Sequence, residues 1–368
     1  MNKMISQATL SKMIRTSAVV RPATRSIHTS RRPFLPRRWM TDSPDKNKTA
    51  IVFPGQGSQY VGMGKDFHEE FACAREVFQE VDESLGFNLS KLMFEGDQAT
   101  LTQTSNAQPA IVTTSIAAIR IMQKEFGFDI KSEAHFALGH SLGEYSALVA
   151  TESLSLKDAV NIVRCRGASM QDCVKDLPRK TVMSAIVLKR DSLRDLEDAM
   201  ESIQTLLPPG EVAELANINS SHQAVLSGTA EGVNFASRIL KDHKIALKAI
   251  DLPVSAPFHC SLMKGARGPV EGAFEGVQIQ KPIVPVVFNA TCRPLMSGSN
   301  CPSELIKSHL LHQIDNTVPW YYSIQFCKQS GVNRFITLGP NKVVGNLILK
   351  RLPHRLDKIR HHSRGMSC

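Results

Sequence analysis

The chain has 368 residues, 42% hydrophobic and 21% charged, which is the make-up of a soluble globular protein with one large domain and a smaller companion. No apolar run approaches the ~20 residues that cross a bilayer, which excludes a membrane span. The formal charge of +10 suggests a nucleic-acid partner until its distribution is read: residues 1–41 hold nine basic residues and no acid, while residues 42–349 hold 29 basic and 33 acidic ones. The body is net −4, so a nucleic-acid partner loses its support.

Residues 1–41 are rich in Arg and Ser/Thr and never build the apolar core of a secretory signal. The pattern is that of a mitochondrial transit peptide and predicts the mitochondrial matrix as the location; a basic arm without an address is the alternative. Arg25–Ser30 resembles a processing signal that would put the mature start near residue 35. Next, residues 49–55 (TAIVFPG) read as a buried strand ended by Pro and Gly. Helical periodicity follows over 66–86 and 106–127, then the short strand AHFALGHS and a helix over 142–154. Strand, turn and helix recur in that order, which predicts an α/β fold, α/β-hydrolase-like, with a largely parallel sheet.

Between residues 179 and 253 the order changes to strand, helix, strand, strand, helix, strand, the βαββαβ order of an inserted ferredoxin-like subdomain. The α/β pattern then resumes with strand PIVPVVFNA, one long helical stretch over 303–330, strand RFITLG and helix NKVVGNLILKRL. The expected divisions are therefore 1–41 presequence, 48–178 with 254–350 as the large domain, 179–253 as the insertion, and 351–368 as a basic tail.

Eight cysteines show no CxxC pair, and neither His309 with His312 nor His361 with His362 has acidic or thiolate neighbours. Neither a disulfide framework nor a metal site is expected. The chemistry lies elsewhere. Gly139-His140-Ser141-Leu142-Gly143 is a G-x-S-x-G sequence between a predicted strand and a predicted helix, the setting in which the serine is lifted onto a sharp turn. A serine needs a base, and His259 stands in a proline-bracketed loop, Pro253-Val-Ser-Ala-Pro-Phe-His-Cys260, which can hold an imidazole still. A satisfied structural histidine is the competing reading. The acids between 141 and 259 lie on amphipathic helices or strand ends and look solvated, so the group orienting the imidazole need not be a carboxylate. Phe53-Pro-Gly-Gln-Gly-Ser-Gln59 follows the first strand; its glycines allow close approach, and the amide of Gln56 can donate to an oxyanion. An ordinary Gly-rich turn is the alternative there. Arg164 and Arg166, two apart on a helix, point in different directions, so at most one faces a cleft, where it would await a carboxylate.

Together these segments resemble the malonyl-CoA:acyl carrier protein transacylases of the stand-alone mitochondrial kind. The matching pieces are FPGQGSQ, GHSLGEYSAL, RCRGASMQ, ANINSSHQAVLSG, LPVSAPFH, HQIDNTVPW and TLGP, in family order from about residue 50 to 348. The resemblance implies Ser141 as nucleophile, His259 as base and later acid, and Gln56 with the N–H of Leu142 as oxyanion donors. It further implies Arg166 on the free malonyl carboxylate, the main chain of Gln313 orienting His259, and Asn217, Met170 and Phe258 lining the cleft. Malonyl-CoA and acyl carrier protein are the implied partners, with no cofactor of the chain's own and a monomeric state. Arg179, Lys180, Lys189, Arg190 and Arg194 of the insertion, or the basic tail, are candidates for docking an acidic carrier. Asn341 departs from the family, where glycine is common. A serine hydrolase or thioesterase acting on acyl-CoA shares the elbow but needs no arginine poised for a carboxylate; a non-catalytic scaffold needs none of these residues.

Overall fold

The structure, a computed structural model, describes residues 48–295 and 302–349. The presequence and the basic tail lie outside the described residues. In chain order the elements are β1 (Lys48–Phe53), α1 (Lys65–Glu70), α2 (Ala72–Leu85), α3 (Leu89–Glu95), α4 (Gln98–Thr102), α5 (Thr104–Phe126), α6 (Ile130–Glu133) and β2 (Phe136–Gly139). Next come α7 (Gly143–Ala150), α8 (Leu156–Lys175), β3 (Thr181–Leu188), α9 (Leu193–Gln204), β4 (Ala213–Ser220), β5 (Gln223–Thr229), α10 (Ala230–Asp242) and β6 (Ala246–Asp251). A 3₁₀ turn (Ser261–Ala266) leads into α11 (Arg267–Gly272), β7 (Val286–Val287), α12 (Pro302–His312), α13 (Trp320–Gln329), β8 (Val332–Thr337) and α14 (Val343–Leu349).

Two sheets organise the chain. β7-β2-β1-β8 is all parallel, with β1 and β2 central and buried throughout except for Lys48 at the start of β1. β4-β5-β3-β6 is all antiparallel and is built wholly from residues between Thr181 and Asp251. Its strand order, with α9 and α10 as the crossovers, is the ferredoxin-like arrangement. Helix α7 packs on β1 and β2, and α5 and α8 pack on α7 and on each other, around Ile111, Ile116, Leu148, Val160 and Val163, each fully buried and each contributing roughly 1.5–3 kcal/mol as a large apolar side chain withdrawn from water. The segment between α12 and α13 meets the antiparallel sheet where Ile218 donates to the carbonyl of Val318 at 3.0 Å and Val318 donates to that of Ala216 at 2.8 Å.

Several elements differ from the sequence-based expectation, each for a local reason. The helix expected over 66–86 breaks at Phe71, whose extended backbone ends α1 and starts α2. The stretch 303–330 is two helices: Pro319 drives Val318 out of the helical region, and Val318 pairs with β4 instead. The strand expected over 282–290 shrinks to Val286–Val287, because Pro282 and Pro285 supply no ladder N–H. Residues 151–155 separate α7 from α8, so the arginine pair sits on the second helix after the elbow.

One irregularity explains the first of those arginines. Pro109 lies inside α5 and has no N–H to offer the carbonyl of Ser105. Arg164 Nη1 donates to that carbonyl at 3.3 Å and to Asn106 Oδ1 at 2.9 Å, while its guanidinium covers the ring of Phe87.

Candidate active site

The site forms beyond the carboxyl ends of β1, β2 and β7, where open parallel sheets leave their crevice. β2 ends at Gly139, and two residues later Ser141 takes a left-handed backbone, φ 50°. Such a conformation is costly for a residue with a Cβ and persists only where its surroundings impose it. Here Asn289, buried just after β7, imposes it: Oδ1 accepts the N–H of Ser141 at 2.8 Å and Nδ2 donates to the carbonyl of Gly139 at 2.8 Å. The turn also needs both of its glycines. A Cβ on Gly139 would overlap the backbone of Gly143, and one on Gly143 would overlap the carbonyl of Phe53.

His259 also has a left-handed backbone, φ 60°, and its side chain is buried against the elbow. Nε2 lies 2.7 Å from Ser141 Oγ, and Nδ1 lies 2.7 Å from the main-chain carbonyl of Gln313. A carbonyl only accepts, so Nδ1 carries the hydrogen and Nε2 presents its lone pair to the serine hydroxyl. Burial, reinforced by the positive charge of Arg166, pushes the His259 pKa down to about 3. The imidazole is therefore neutral and ready to take a proton. The break between α12 and α13 has a use here, since it turns the carbonyl of Gln313 toward the histidine.

Arg166 is buried beside the pair. Nη1 donates to Gln108 Oε1 at 2.9 Å, Nη2 donates to Gln313 Oε1 at 2.8 Å and reaches Ser141 Oγ at 3.4 Å, and Nε has no partner. The close approach of α8 to the start of α5 makes this possible: a Cβ on Gly167 would sit 2.5 Å from the carbonyl of Thr104. Met170, one turn along α8 and fully buried, supports Gln108 from behind through a 3.8 Å contact of Nε2 with its sulfur.

The side-chain amide of Gln56 donates to Thr104 Oγ1 at 3.1 Å, and Thr104 Oγ1 in turn lies 2.8 Å from Ser255 Oγ on the His259 loop. One of the two amide hydrogens of Gln56 is thereby engaged. The main-chain N–H groups of Gln56 and Leu142 have no partner among the described residues, and Leu142 caps α7, where unpaired N–H groups and the helix dipole favour negative charge. Phe258 is buried immediately before His259. Asn217 is buried on β4 with no hydrogen bond to Ser141 or His259; it is Asn219, two residues on, that reaches the elbow, its Oδ1 2.9 Å from His140 Nε2.

Sequence reasoning did not single out Gln108, Glu144, Asn219 or Asn289. Gln108 lies in an apolar helix and reads as core, and Glu144 reads as a solvated helix acid yet is wholly buried, its pKa pushed up to about 8 by that burial. The proposed docking cations do not form one patch. Arg179 and Lys180 precede β3 whereas Lys189, Arg190 and Arg194 follow it, eight residues or about 26 Å away at ~3.3 Å per residue, and Arg179 is paired with Glu211.

A serine hydroxyl on a strained turn, a neutral imidazole held in one tautomer, and two unpaired main-chain N–H groups define an enzyme that carries an acyl group as a serine ester. The buried guanidinium of Arg166 stands 3.4 Å from that serine, and a guanidinium is a group suited to pairing with a carboxylate. Comparison with known proteins agrees. The acyl transferase domain family matches residues 50–289. The malonyl CoA-acyl carrier protein transacylase of Bacillus subtilis (strain 168) is 40% identical over 314 residues, covering 85% of this chain and 93% of its own. The solved acyl-carrier-protein S-malonyltransferase of Bartonella henselae superposes with a TM-score of 0.74 at 37% identity, over 82% of this chain and 91% of its own. A malonyl-transacylase solved in complex with a type II PKS acyl-carrier protein has a TM-score of 0.73 at 32% identity, over 82% and 92%. The chain belongs to the malonyl-CoA:acyl carrier protein transacylases of the acyl transferase family.

Proposed function

We propose that the chain moves the malonyl group from malonyl-CoA to the phosphopantetheine thiol of acyl carrier protein by a ping-pong route through malonyl-Ser141. The carrying observation is the 2.7 Å contact of Ser141 Oγ with His259 Nε2, with Arg166 Nη2 3.4 Å from the same oxygen. Ser141 Oγ attacks the thioester carbonyl as its proton passes to Nε2. The resulting oxyanion is held by the N–H groups of Gln56 and Leu142. The C–S bond then breaks, Nε2 returns the proton to the departing thiolate, and the serine ester remains. The carrier's thiol gives its proton to Nε2 of His259 as its sulfur attacks the ester carbonyl, the bond from that carbon to Ser141 Oγ breaks, and Nε2 returns the proton to the serine oxygen. Thioester and ester are close in energy, so both halves are reversible. No metal or prosthetic group of the chain's own takes part in this route.

Arg166 gives the reading its substrate. A guanidinium pairs with a carboxylate through parallel N–H bonds, and an acetyl group offers nothing to fill that role. Holding the distal carboxylate fixes the ester for attack by a thiol rather than by water. Kinetics of Arg166→Ala with malonyl-CoA and acetyl-CoA test this: a selective loss of malonyl transfer is expected, and equal losses for both donors would remove Arg166 from the role.

The acid-free, Arg-rich composition of residues 1–41 supports action in the mitochondrial matrix, in fatty acid synthesis there. A fusion of residues 1–41 to a reporter tests it by import into isolated mitochondria. Ser141, His259, Arg166 and Gln313 complete the site within a single chain, so the proposed monomer would need no second copy to work.

A further inference from the structure

Glu144 and Arg166 are both buried at the site, and no direct ion pair joins them. The side-chain amide of Gln313 lies between. Its Oε1 accepts from Arg166 Nη2 at 2.8 Å, and its Nε2 donates to Glu144 Oε2 at 2.9 Å and to the carbonyl of Ser141 at 3.0 Å. An amide has one accepting end and one donating end. A guanidinium has only donors and must face the oxygen; a carboxyl oxygen and a backbone carbonyl accept and must face the nitrogen. With both acceptors present, both amide hydrogens are used and the group has one satisfied orientation. Without Glu144 one amide hydrogen is buried and unpaired, and the amide is free to tilt away from Arg166.

We propose that Glu144 is a positioning residue for acyl-group choice: through the amide of Gln313 it fixes the guanidinium of Arg166 where the malonyl carboxylate must bind. The proposal rests on the reading of Arg166 given above. Glu144 touches neither substrate nor the reacting atoms; it stands three residues after the nucleophile and acts across the elbow. His259 is shielded from the same change, because it is held by the main-chain carbonyl of Gln313 rather than by the amide. A purely structural role for Glu144 would disturb the elbow and slow every acyl donor alike. The positioning role predicts a change in preference instead.

The test is kcat/KM for malonyl-CoA and acetyl-CoA, with transfer to holo acyl carrier protein, in Glu144→Leu, Glu144→Gln, Gln313→Met and Arg166→Ala. Glu144→Leu removes the acceptor and is expected to lower the malonyl-to-acetyl ratio at least tenfold. Glu144→Gln keeps a carbonyl oxygen for Nε2 and is expected to hold the ratio within about threefold of the wild type. Should Glu144→Leu not fold, Gln313→Met decides, since it leaves Glu144 nothing to act through: loss of malonyl preference supports the proposal and retained preference overturns it. Equal losses for both donors in Glu144→Leu also overturn it. A changed ratio in Arg166→Ala with an unchanged one in Glu144→Leu overturns the role of Glu144 alone, whereas an unchanged ratio in Arg166→Ala overturns the reading of Arg166 and this proposal with it.

Discussion

The Nδ1 of His259 lies 2.7 Å from the main-chain carbonyl oxygen of Gln313, so the base of this site is oriented by a neutral peptide group and not by a carboxylate. A peptide carbonyl fixes the tautomer without a charge that would hold a proton on the ring. Burial and the charge of Arg166 outweigh the pull of that carbonyl on the proton and leave His259 neutral far below the usual histidine range.

That predicts an acid limb displaced from the ordinary position. The rate of Ser141 acylation, followed by rapid quench from pH 7.5 down to 5, is expected to stay within about twofold; a fall following a group near 6.5 would contradict the neutral-base account. The linkage has a sign. The unfolded chain takes up the histidine proton below about 6.5 while the folded chain does not, so His259 costs stability as pH falls from there toward 3.

Glu144 works in the opposite direction. Its folded pKa is pushed up to about 8 from an ordinary 4.5. Its contribution is therefore fully present below the unfolded value and is lost as pH rises through about 8. The stability of wild type relative to Glu144→Gln, read from denaturant midpoints, should fall steadily from pH 5 to 8.5. A difference independent of pH would mean that the buried acid does not titrate as described.

Gln56 separates side chain from main chain. Removing an oxyanion donor typically costs about 3–4 kcal/mol of barrier, or 10²–10³ in kcat. Gln56→Ala keeps the N–H and loses only the bond to Thr104, so a loss of less than about tenfold is expected in steady-state kinetics. A loss of a hundredfold or more would make the amide itself the donor.

Asn289 holds the elbow from both sides, so Asn289→Ala leaves a buried N–H and a buried carbonyl without partners. The expected destabilisation is about 1–3 kcal/mol for each unpaired group, with kcat falling as Ser141 relaxes. Urea denaturation and kinetics on the same preparation check both; wild-type stability would show that the strained turn is held by something else.

Much of this was legible because the chemistry is local in the chain. A nucleophile needs a tight turn with glycines around it, and a base on a loop needs prolines to stiffen it, so Ser141 and His259 carry signatures of their own. Their supports do not. Gln108 and Glu144 sit at helix positions whose only message is helical, and their partners come from segments 58 and 169 residues away. The helix drawn through residues 303–330 hid the most consequential break. Pro319 was the available signal for it, since the residue before a proline is driven out of the helix. The docking cations looked like a cluster because sequence proximity ignores that a strand carries its two ends apart.

The most direct measurement is intact and peptide mass spectrometry after brief incubation with malonyl-CoA, followed by addition of holo acyl carrier protein. The account predicts one malonyl group on Ser141, absent in Ser141→Ala, that moves onto the carrier faster than it appears as free malonate. No adduct at Ser141, or an adduct that leaves mainly as malonate with the carrier present, would contradict it.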